Sequence, residues 1–203
     1  MNKKKLFAMM ALVIVIAILG TGTLAYFTTN AVTHNVITSG EIDISIVEKV
    51  PDGTPRYDEE GKLLGYTIED IMPDKTVTKD VKIHNDTIEP AWIRVKLLHT
   101  IKSNDGKTQP NTLNGVEMVQ YNVPAANASK WVKDGQWYYY TEPLAGGADT
   151  ASLIETVHFA AEMDNRYQDC TIELSVEAEA VQSKNNPIPE GKDVTKIPGW
   201  PTT

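Results

Sequence analysis

The chain has 203 residues, 41% of them hydrophobic and 23% charged, with 13 Gly and 11 Pro. That composition is globular, not collagenous, coiled-coil or wholly disordered. The formal net charge is −8, and setting aside Lys3, Lys4 and Lys5 lowers it to −11. So acidic a chain repels phosphate backbones, which excludes nucleic acid as a partner, and its one cysteine, Cys170, excludes an internal disulfide framework and a multi-cysteine metal site.

Lys3, Lys4 and Lys5 precede Leu6 to Leu19, a run with no polar side chain, and Gly20 to Ala25 then supplies small residues. A positive head, an apolar stretch and a small-residue exit describe a secretory signal peptide over 1–25, an N-terminal helix, with Thr23 and Ala25 as the −3 and −1 positions and Tyr26 as the first mature residue. A retained membrane anchor is the alternative, but the apolar run falls short of the roughly 20 residues a span needs. Both readings place the remainder outside the cytoplasm, and with cleavage the chain contacts a membrane only as the unprocessed precursor.

Tyr26 to Ser39 is rich in β-branched residues, free of Pro and Gly, and almost uncharged. Such a segment at a free end would ordinarily fray. Its strand propensity also suits it to add to an open sheet edge, with Phe27, Ala31 and Ile37 as alternate side chains that set the register. Pairing with its own sheet as an ordinary first strand is the competing reading. We take 26–40 as an N-terminal assembly strand.

Period-two alternation dominates from Gly40 onward. Ile42, Ile44 and Ile46 alternate with Asp43, Ser45 and Val47. Pro51 to Gly65 reads as a polar excursion between strands. Val77, Val81 and Ile83 mark a strand ending at the turn-prone Asn85-Asp86. Ala91, Ile93, Val95 and Leu97 alternate with Trp92, Arg94, Lys96 and Leu98, the clearest strand in the chain. Ser103 to Gly115 is a second excursion, Val116 to Val123 a weaker strand, and Ala125 to Ala128 or Ala148 to Glu155 a candidate helical turn. Trp131 to Lys133 and Gln136 to Thr141 flank Asp134-Gly135, a strong hairpin signal. Ile154 to Ala161 and Thr171 to Val181 complete the set. With no long helical crossovers, these strands predict an all-β, antiparallel jelly-roll-like sandwich over 41–182. The Pro-rich tail, 183–203, is predicted to be poorly ordered.

Four stretches carry a family resemblance: Gly22 to Glu48 (a small residue before Tyr26-Phe27, then Ser39-Gly40-Glu41-Ile42-Asp43-Ile44), Met72 to Leu97, Asp134 to Thr150, and Ile172 to Gln182. In this order they resemble secreted proteins of the TasA/camelysin type and span nearly the whole chain. One departure is Pro73-Asp74 where the family has Pro-Gly, a change the turn accepts. The resemblance implies a jelly roll exported through a SipW-type signal peptidase, secreted to the extracellular matrix or cell surface of a Gram-positive-type bacterium. It also implies biofilm-matrix fibres in which one subunit's N-terminal segment completes the sheet of the next. The expected partners are therefore the chain itself, that peptidase and matrix polysaccharide.

Camelysin-type relatives have been classed as metallopeptidases, so catalysis has to be weighed. A zincin needs His at i and i+4 on a helix, whereas His34, His84, His99 and His158 are scattered. His158 has Glu155 and Glu162 nearby, but on a predicted strand. There is no Gly-x-Ser-x-Gly elbow. Asp164 and Asp169 lack the spacing of an EF-hand loop. We expect no enzyme, metal or cofactor, and read Cys170 as a small buried hydrophobe on a strand. Trp131, Trp137, Tyr138, Tyr139 and Tyr140 form the densest aromatic cluster. Trp137 and Tyr139 would face one side of a strand, and Tyr138 and Tyr140 the other. One pair would fill the core, and the cluster could alternatively offer a stacking platform for glycan on a monomeric surface adhesin.

Overall fold

The computed structural model describes residues 35–39, 42–191 and 193–201, all within one compact unit. The predicted signal helix over 1–25, with Thr23 and Ala25, and the first part of the predicted assembly strand, with Tyr26, Phe27, Ala31 and His34, lie outside the described residues.

Alternation of apolar and polar residues makes the long strands bury one face, and the described residues form fourteen strands. In chain order they are β1 (Asn35–Ser39), β2 (Ile44–Lys49), β3 (Thr54–Tyr57), β4 (Leu63–Ile68), β5 (Thr76–Asn85), β6 (Ala91–Lys102) and β7 (Thr108–Gln109). There follow β8 (Thr112–Leu113), β9 (Val116–Glu117), β10 (Val119–Asn122), β11 (Trp131–Asp134), β12 (Trp137–Tyr140), β13 (Ile154–Phe159) and β14 (Thr171–Gln182). Short 3-10 turns cover Ala125–Lys130, Asn165–Tyr167 and Val194–Lys196. The first coincides with one candidate helical turn, whereas 148–155 holds no helix.

The strands form an antiparallel β-sandwich. One sheet runs β11-β12-β6-β14-β4-β3, with β1 added on β14 and β7 on β6; the other runs β10-β13-β5-β2, and β8 pairs with β9. Ile93 and Val95 of β6, Leu174 and Val176 of β14, Val81 and Ile83 of β5, and Val157 and Phe159 of β13 meet between the sheets with no exposed surface. Their burial removes apolar area from water and supplies the main stabilisation. β5 ends as expected at Asn85, whose buried amide donates to the carbonyls of Glu89 (2.9 Å) and Leu144 (3.1 Å) and whose Oδ1 accepts from Thr87 N (3.1 Å).

The structure departs from the sequence expectations at five places. The excursion Pro51–Gly65 contains β3 and the start of β4, because β3 is an outer strand, where Pro55 removes no needed donor. The second excursion, 103–115, contains β7 and β8. In the aromatic hairpin Asp134 pairs with Trp137, so the loop residues are Gly135 and Gln136, and Gly135 takes the left-handed φ of 58°. Cys170 is buried as expected, but one residue before β14 and not on it. Burial pushes its thiol pKa up.

The tail is the largest departure. Val194 and Ile197 are buried, packing with Trp92, Tyr139 and Val181 against the outer face of the first sheet, while Ile188, Trp137 and Trp200 flank them. The four prolines prevent ladder pairing but not burial of the apolar residues between them.

Candidate functional site

β14 is the strand on which the candidate assembly site is built. Along one side it pairs with β6 over its full length, from Thr171 opposite Lys102 to Gln182 opposite Ala91. Along the other side it first pairs with β4, from Ile172 opposite Ile68 to Leu174 opposite Tyr66. There β4 turns away. Gly65 has φ 129°, and a Cβ built on it would lie 2.1 Å from the carbonyl oxygen of Leu174, so only glycine permits this approach. Beyond that point the edge of β14 takes β1, in parallel, with Asn35 opposite Glu177, Ile37 opposite Glu179 and Ser39 opposite Val181. Among the described residues every other ladder is antiparallel.

Two charged rows cross the outer face of the sheet and end at this edge. Tyr139, Arg94 and Glu179 are direct neighbours on β12, β6 and β14, as are Trp137, Lys96 and Glu177. Arg94 Nε donates to Glu179 Oε2 at 2.6 Å, and its Nη2 donates to the carbonyl of Pro201 at 2.9 Å. The guanidinium lies between the rings of Trp137, 4.3 Å from the centroid, and Trp200, 4.9 Å away. Burial raises the pKa of Glu179, outweighing the downward pull of Arg94. Lys96 pairs with Glu177 at 3.4 Å. Trp92 Nε1 donates to Asn186 O at 2.8 Å, and Trp200 meets Tyr139 edge-on at 5.8 Å. The tail is therefore a strap over β12, β6 and β14.

The aromatic residues divide as their alternation requires. Tyr138, Tyr140 and Trp131 belong to the central core, and Trp131 and Tyr140 pack with centroids 4.9 Å apart. Trp137 and Tyr139 face outward, but beneath the strap, so they do not form an open platform. The sequence reading missed this cover and the charged rows. The rows have a visible signal: Arg94 and Lys96, and Glu177 and Glu179, are like-charged residues two apart on strands of opposite sign.

A second buried pair was also missed. Lys79 lies on the inward face of β5 between Val77 and Val81, is fully buried and contacts the carboxylate of Glu48 on β2. Burial lowers its pKa, and Glu48 opposes that shift.

The histidines occupy separate places. His84 Nδ1 is 2.6 Å from Asp149, His158 Nδ1 is 3.0 Å from Thr76 Oγ1, and His99 Nδ1 is 3.1 Å from the Tyr121 hydroxyl. Among the described residues no three His, Cys, Asp or Glu side chains converge to hold a metal. Asp164 accepts from Arg166 at 2.7–3.1 Å, which holds its carboxyl below the usual range.

Comparison with known family models, with curated proteins and with solved structures gives no match to this chain.

Proposed function

We propose that the chain is a secreted structural protein of the bacterial extracellular matrix or cell surface, polymerising head to tail by strand addition. The lysine-led apolar N-terminus would direct export, with a SipW-type peptidase cutting after Ala25. The TasA/camelysin resemblance of the four sequence stretches supports both steps. The observation that carries the reading is β1. It is a five-residue strand, held by one parallel ladder on an edge of β14 that β4 has vacated. It is joined to β2 of the opposite sheet through 40–43. A neighbour's 26–39 segment could take the same place on β14, with main-chain hydrogen bonds supplying affinity. A head-to-tail contact of this kind does not close and yields a filament.

The test is deletion of 26–39 from the secreted protein. Electron microscopy should show fibres for the wild type and none for the truncated protein, which should remain a folded monomer by circular dichroism. A synthetic peptide of Tyr26 to Ser39 should cap growing ends. Ile37→Pro, in the middle of the β1 ladder, should act like the deletion. Fibres formed by the truncated protein would overturn the proposal, as would a wild-type secreted form beginning downstream of Ser39. Unfolding on truncation would assign β1 to its own domain and count against exchange.

A further inference from the structure

Residues of β6, β10 and the β11–β12 hairpin line an open cleft of about 450 Å³. That volume lies within the range of about 300–1,000 Å³ used by small-ligand sites. The cleft has a different character from the apolar core beside it. At its base His99 Nδ1 meets the Tyr121 hydroxyl at 3.1 Å, the two rings edge-on with centroids 5.8 Å apart. Burial lowers the pKa of His99, with Glu117 opposing, so the base is neutral at physiological pH.

The rim holds one cation and one anion, Lys133 and Glu117. Lys133 lies over the Tyr138 ring at 5.1 Å. The cleft's other cation, Lys96, is engaged by Glu177 at 3.4 Å. The charge on the cleft is therefore balanced, which disfavours a phosphate or a polyanion. Besides Gln120, whose side-chain amide donates to the carbonyl of Glu117 at 3.2 Å, the rim carries two primary amides, Asn111 beside the β8–β9 hairpin and Gln136 in the β11–β12 turn, both exposed. Neither amide makes a side-chain hydrogen bond among the described residues. Each keeps a donor and an acceptor available, a combination that matches hydroxyl groups on adjacent carbons.

We propose that this cleft binds a neutral saccharide, one or two hexose or hexosamine units of a polysaccharide chain, with Asn111 and Gln136 reading the hydroxyls. The lining does not include the covered Trp137 and Tyr139, and the proposal does not depend on the fibre reading. A monomer defective in assembly should bind equally well.

The experiment is a titration of the isotope-labelled full chain, followed by amide chemical shifts. The probes are cellobiose, maltose, di-N-acetylchitobiose, digalacturonate and tetra-alanine. At least one neutral disaccharide should give saturable shifts confined to 96–99, 119–121 and 133–138. Asn111→Ala and Gln136→Ala should each weaken that binding about tenfold, the loss expected for one or two hydrogen bonds. The variants should leave the remaining spectrum unchanged, since both side chains are exposed and unbonded. The proposal is overturned if no neutral disaccharide saturates, if both variants bind as the wild type does, or if digalacturonate or tetra-alanine binds more tightly than every neutral probe.

Discussion

Replacing Arg94 by alanine tests the outer-face network directly. The Glu179 side chain is only 1% exposed and loses its cation, while the rings of Trp137 and Trp200 lose the guanidinium between them. Removing one partner of a buried pair costs about 3–5 kcal/mol. Each cation–π contact contributes about 0.5–2 kcal/mol, partly counted in the same loss. A total near 4 kcal/mol would lower the melting temperature by about 8–16 °C for a domain of this size. The penalty should also depend on pH. Burial already places the folded pKa of Glu179 above its unfolded value. Its contribution is therefore fully present below the unfolded pKa and is lost as pH rises through the folded one. Without Arg94 the folded pKa rises further, so the gap between variant and wild type should be smallest near pH 4 and widen toward about pH 8. Calorimetry across that range reads the effect, and Glu179→Gln in the Arg94→Ala background should recover much of the loss. A gap independent of pH, together with no recovery by the second change, would refute the reasoning.

Two further substitutions probe the sandwich itself. Ile93→Asp places a carboxylate where the side chain has no exposed surface, and should abolish cooperative thermal unfolding; a well-folded variant would disprove the inward register of β6. Gly65→Ala puts a methyl against Leu174 O at a φ of 129°, so a loss of several kcal/mol in denaturant unfolding is expected from strain and forced separation of β4 from β14, and an unchanged midpoint would contradict that crossing.

The strands were legible where one rule decided the outcome. Ile93 and Val95 alternate with Trp92 and Arg94, and a strand with one buried face follows from that spacing alone. Burial of the second face was not legible, because Trp92 and Arg94 are covered by a segment with no periodicity of its own. The prolines at 187, 189, 198 and 201 read as disorder, yet Val194 and Ile197 between them found an apolar surface. β3 was hidden for a related reason: it is a peripheral strand with Pro55 in it and Tyr57 exposed, so neither composition nor alternation marks it. At the candidate site the strand character of Asn35–Ser39 was legible, but its partner was not. Parallel pairing with residues 177–181 depends on where Gly65 releases β14, a tertiary event with no local sequence mark.

The parallel seating of β1 has a mechanical consequence. A pull on either end of β1 along its axis loads all rungs from Asn35–Glu177 to Ser39–Val181 together, in shear. A hairpin opened from its free end instead surrenders its rungs one after another. A joint made this way would be stiff and strong along the strand and weak to sideways peeling. Its rupture force would be set by the number of rungs, and extending the ladder toward residue 34 would be the simplest way to strengthen it.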